Sequence, residues 1–85
     1  MLIQILTDDL RPLQQYESYE GPVILLQDAV YVAKEIKVSY PGFDVYMLES
    51  EFLASGIKTS DYYNIIQPEQ WVELCANFNP VLTIQ

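Results

Sequence analysis

An α/β fold built on one parallel sheet is the architecture this sequence predicts, and three observations predict it. Val23-Ile24-Leu25-Leu26 and Val45-Tyr46-Met47-Leu48 are short apolar runs, too brief for free-standing helices and suited to strands buried on both faces. Each run then meets acidic or polar residues, Gln27-Asp28 and Glu49-Ser50-Glu51, and passes into a segment of helical spacing. Strand, polar turn and helix, repeated within about thirty residues, is the pattern of parallel strands joined by crossover helices. Finally, no linker or internal repeat interrupts the 85 residues, so residues 1–85 are expected to form a single domain.

The elements follow in order. Residues 2–6 (Leu-Ile-Gln-Ile-Leu) are a first strand. Residues 7–21 hold a weak helix: Asp8 or Asp9 can cap it, Pro12 suits its first turn, and Leu10, Leu13 and Tyr16 share a face before Gly21-Pro22 stops it. Residues 23–26 are the second strand. Asp28 is the expected cap of a helix whose Ala29, Val30, Ala33 and Ile36 lie on one side. Tyr40-Pro41-Gly42 turns the chain into a third strand, 44–48; Ser50 is placed to cap the next helix, and Gly56 to close it in a left-handed conformation. A fourth strand is expected at 62–66. Pro68 begins the last helix, where its missing N–H costs nothing, with Trp71, Leu74, Cys75 and Phe78 as the inner face. Asn79-Pro80 breaks that helix before a fifth strand, Val81–Ile84. Right-handed crossovers then put helices on both sides of a single parallel sheet of about five strands, a three-layer α/β/α domain.

Composition narrows the function. The chain is 51% hydrophobic, with seven tyrosines, three phenylalanines and one tryptophan. A domain this short buries only about two-thirds of its unfolded surface, so the apolar excess predicts association with other subunits. Four Lys or Arg face twelve Asp or Glu, for a net charge of −8. Four scattered cations cannot make a nucleic-acid groove, and the same balance disfavours an anionic membrane surface. No direct nucleic-acid or membrane partner is expected. The opening Met1-Leu2-Ile3-Gln4-Ile5-Leu6 lacks a basic flank and meets Asp8-Asp9 early, so it reads as a strand and not as a signal peptide. The expected location is cytoplasmic.

Chemistry in such sheets sits at the carboxyl ends of the strands. The turns expected there are Thr7-Asp8-Asp9, Gln27-Asp28, Leu48-Glu49-Ser50-Glu51 and Gln67-Pro68-Glu69. None is glycine-rich, and a phosphate cradle needs small residues so that backbone N–H groups can approach an anion. Asp8, Asp28 and Glu49 could converge on Mg²⁺ through oxygen ligands, but Asp and Ser directly before a helical run more commonly cap it. Histidine is absent, which removes the imidazole base and the imidazole ligand. Cys75 is the one thiol; its helical spacing sets it beside Trp71 and Phe78, the setting of a buried, inert cysteine. No catalytic residue, metal site or cofactor is expected.

Three segments in register resemble the sulfur-relay family TusB/DsrH. They are Ile24-Leu25-Leu26-Gln27-Asp28-Ala29-Val30, then Asp44-Val45-Tyr46-Met47-Leu48-Glu49-Ser50-Glu51-Phe52-Leu53-Ala54-Ser55-Gly56-Ile57, then Asn64-Ile65-Ile66 with Trp71-Val72-Glu73-Leu74. Order and spacing match over about residues 22–74. Ala29 stands where a glycine is usual and Ser55 where an arginine is, and the chain ends in Ile84-Gln85 where a tryptophan is common. The resemblance implies a DsrEFH-like domain in a complex with TusC/DsrF-like and TusD/DsrE-like subunits. That complex accepts persulfide sulfur and passes it towards 2-thiolation of the tRNA wobble uridine or a related route. In related sulfur-carrying subunits the active cysteine lies eight residues before the position of Gly56, which here is Leu48. Some members carry a cysteine in the first helical region, and residues 7–20 contain none. The resemblance therefore implies a non-catalytic subunit. The alternative is a stand-alone, self-associating interaction protein of the same fold without relay activity.

Overall fold

A computed structural model describes residues 1–58 and 62–85. Five strands, β1 (Leu2–Ile5), β2 (Gly21–Leu25), β3 (Phe43–Leu48), β4 (Asn64–Ile66) and β5 (Val81–Ile84), form one sheet in the order β4-β3-β2-β1-β5. Every neighbouring pair is parallel, and the expected α/β fold is the observed one. Three α-helices, α1 (Ala33–Ser39), α2 (Glu49–Ser55) and α3 (Pro68–Asn77), join the later strands. The first four strands advance towards one edge. α3 then carries the chain back across the sheet to the far side of β1.

That reversal splits the interior into two cores, one on each face. Register aligns Ile3, Val23, Val45 and, one step on, Ile5, Leu25 and Met47 across the sheet. These residues and Phe43 pack with Leu13, Ala29, Val30, Ala33, Ile36, Tyr40 and Tyr63. The opposite face joins Leu2, Ile24, Leu26, Leu48 and Ile66 to Leu74 of α3, with Trp71 and Cys75 half-buried beside them.

Several expected boundaries shift for local reasons. The weak helix of 7–21 is a 3-10 helix, Arg11–Tyr16, starting at Leu10 without a side-chain cap and with Pro12 in its first turn. Leu10, and not Asp8 or Asp9, stands at the N-cap position, while the Asp9 carboxylate accepts the N–H of Arg11, the first helical residue. The helix after β2 starts as a 3-10 helix, Gln27–Val32, and continues as α1. Its N-cap is Leu26, so Asp28 lies inside the first turn; likewise Leu48, and not Ser50, is the N-cap of α2. Gly56 does close α2 at φ +79°. A Cβ there would touch nothing within 4 Å, so only backbone conformation demands the glycine. β4 is shorter than expected because just Tyr46–Leu48 offer it a ladder; Tyr63 is buried in the larger core instead. Phe78, expected on the buried face, lies beyond the end of α3 and is 39% exposed.

Candidate functional site

The carboxyl edge of the sheet is built from the ends of β1 to β4 and the turns that follow them. At β2 the turn is strained: Gln27 has φ +53°, a left-handed conformation costing a side-chain-bearing residue on the order of 1 kcal/mol. Its N–H donates to the Glu51 carboxylate at 2.8 Å. Glu51 therefore reaches from α2 across to the opening of the neighbouring helix and satisfies a donor that Asp28 leaves unmet. A groove of about 260 Å³ lies beside this latch, lined by Gln27, Asp28, Val30, Tyr31, Glu51, Ala54 and Ser55.

The other turns are tied locally. After β1, the Thr7 hydroxyl accepts the Asp9 N–H at 3.1 Å. Asp9 in turn accepts the Arg11 N–H at 3.1 Å and pairs with its guanidinium through Nε at 2.9 Å and Nη2 at 2.7 Å. The side-chain and backbone hydrogen bonds from Arg11 pull the Asp9 carboxyl down to about 2, and the side-chain bond and charge of Asp9 raise the guanidinium. After β4, the Gln70 side chain accepts the Gln67 N–H at 2.8 Å and opens α3. After β3, Leu48 is only 8% exposed, while Glu49 and Ser50 face outward.

This arrangement offers hydrogen-bond acceptors and an acidic lip. Among the described residues, no three of Cys, Asp and Glu stand close enough to share a metal ion; the structure does not bring Asp8, Asp28 and Glu49 together as ligands. Cys75 lies roughly two turns into α3, half-buried in the smaller core, so the thiol is less enclosed than its spacing predicts.

The chain matches no protein-family model and no curated protein.

Two features of the site have no signature in the sequence. Left-handed backbone is announced by Gly, Asn or Asp, and Gln27 is none of these. Gln4, in the middle of an apolar strand, accepts the Trp71 indole N–H at 2.9 Å and donates to the Thr83 hydroxyl at 3.1 Å. That bridge ties β1, β5 and α3 together across residues far apart in sequence.

Proposed function

We propose that this chain is a non-carrying subunit of a TusB/DsrH-type sulfur-relay complex, holding the fold of the family while another subunit bears the persulfide. The observation that supports this reading best is the end of β3. At Leu48, where the resemblance sets the carrier cysteine, an almost fully buried leucine caps α2. A side chain without a thiol cannot take up sulfur, and the one cysteine of the chain lies in α3, half-buried in the smaller core. The acidic lip formed by Asp28, Glu49 and Glu51 is suited to a basic partner surface.

A second reading, self-association without relay activity, is favoured by exposed apolar side chains on and after α3. Val72 is 68% exposed, and Phe78, Val81 and Met1 are also exposed. Affinity purification from the native cell separates the two. Co-elution with two small chains in equal amounts is the expected result. Recovery of copies of this chain alone, at low as well as high salt, overturns the relay assignment in favour of self-association.

A further inference from the structure

The outer surface of α1 holds a second concavity. A cavity of about 370 Å³ is lined by Lys34, Lys37, Val38, Pro41, Tyr62 and Tyr63. A neighbouring one of about 300 Å³ shares Lys34, Tyr62 and Tyr63 and continues past Tyr31 and Ile57. Both lie at the lower end of the roughly 300–1,000 Å³ range of small-molecule sites. Their chemistry is unusual for this chain. Two of its four cationic side chains meet here, three residues apart on one helix face, in a molecule of net charge −8.

The walls are partly fixed. Tyr63 is anchored in the larger core, and the Tyr62 ring meets it edge-on, centroids 6.3 Å apart at 65°. The Lys37 ammonium donates to the Phe43 carbonyl at 2.7 Å, which holds the charge in place and leaves two N–H donors. Lys34 is exposed and can swing over the opening. Val38 and Tyr62, 73% and 58% exposed, supply apolar surface to the cavity. Burial, then Glu35, then Tyr62 push the Tyr63 hydroxyl above the ordinary tyrosine range. Glu35 adjoins Lys34 and Val38, and an incoming anion would seat against Lys34 and Lys37. At physiological salt the screening length is about 8 Å, so the local balance counts: two ammonium groups against the one carboxylate of Glu35.

We infer that this cavity is a binding site for a small planar aromatic anion, its ring against Tyr62, Val38 and Pro41 and its charge against Lys34 and Lys37. This inference stands independently of the relay assignment. Amide chemical-shift titration of the full chain with naphthoate and with its neutral amide, naphthamide, tests it. Naphthoate should shift the amides of Lys34, Lys37, Val38 and Tyr63 saturably, with a dissociation constant on the order of 1 mM or tighter. Naphthamide should bind about fivefold more weakly. Lys34→Gln should bring naphthoate down to the naphthamide level, and Tyr62→Ala should weaken both. Both positions are exposed, so unchanged melting temperatures will verify that the variants fold. Equal binding of acid and amide, shifts centred on Val72 and Phe78, or no saturation overturns the inference.

Discussion

The two faces of the sheet are finished to different degrees. On the α1 side, inward positions of the strands are all apolar: Ile3, Ile5, Val23, Leu25, Phe43, Val45, Met47, Ile65, Leu82 and Ile84. They are roofed by Leu13, Ile36 and Tyr40, and Phe43 is stacked on Tyr40 at 4.8 Å and met edge-on by Tyr19 at 5.9 Å. On the α3 side, the same strands present Gln4, Asp44, Asn64 and Thr83 among the leucines and isoleucines. These polar groups are partnered, Asn64 with Asp44 at 2.8 Å and Tyr46 with Asp44 at 3.1 Å. Burial and then Asp44 raise the Tyr46 hydroxyl above its ordinary value. A single helix with one buried residue, Leu74, covers this face. One face carries the larger core; the other carries a smaller one under a single helix. The contrast teaches that a short chain concentrates its burial on one face of its sheet.

The comparison breaks if the two faces cost the same to disrupt. Phe43→Ala should lower stability by about 3–5 kcal/mol, a large part of the roughly 5–15 kcal/mol a domain has. Trp71→Ala, from a half-buried site, should cost about 2–3 kcal/mol, and Trp71→Phe about 1 kcal/mol through the lost bond to Gln4. Urea midpoints measured on all three variants give the ranking; equal losses for Phe43→Ala and Trp71→Ala would erase the distinction.

Smaller effects sharpen it. Cys75→Ser should cost about 1 kcal/mol for a hydroxyl in a half-apolar setting. If the proposed function holds, it should leave sulfur transfer by the assembled complex within about twofold of the parent, since an unactivated thiol is not a carrier. A sulfur adduct on Cys75 in the mass spectrum, with transfer lost in the serine variant, would instead make this chain a carrier. Val72→Asp should change the urea midpoint by no more than about 0.5 kcal/mol yet weaken association, read by light scattering of the complex. Unaltered association would move the interface away from Val72.

The smallest effect concerns Asp9. Its folded-state pKa, about 2, is below the ordinary 3.8, so its pairing with Arg11 favours the fold above the unfolded value. That contribution fades as pH falls from there through about 2. The carboxyl is solvent-exposed and the gain is correspondingly slight. A carbon-detected titration should place the Asp9 midpoint near 2 in the parent and return it towards 3.8 in Arg11→Gln; the same midpoint in both would refute the pairing.

Fold class was legible because its signals are local. Apolar runs such as Val23-Ile24-Leu25-Leu26, the helix start at Pro68 and the left-handed stop at Gly56 each follow from a few neighbouring residues. Capping was not legible in the same way. Asp28 and Ser50 have the right chemistry beside a helix, but leucines occupy the N-cap positions, and the Gln27 N–H is satisfied by Glu51 from another element. The inner face of α3 was placed correctly at Leu74 and too deeply at Trp71, Cys75 and Phe78. Helical period orders residues around an axis, whereas depth of burial depends on what lies opposite.

By itself, then, the order of residues determined the alternation of strand and helix, the acidic character of the strand-end turns and the absence of histidine. Strand order, the doubling back of α3, the Gln4–Trp71–Thr83 bridge and the meeting of Lys34 and Lys37 with Tyr62 and Tyr63 were decided only by tertiary structure. The physical reason is range. Propensity and periodicity act over one or two turns of chain, while a site is made by side chains that the sheet brings together from segments dozens of residues apart.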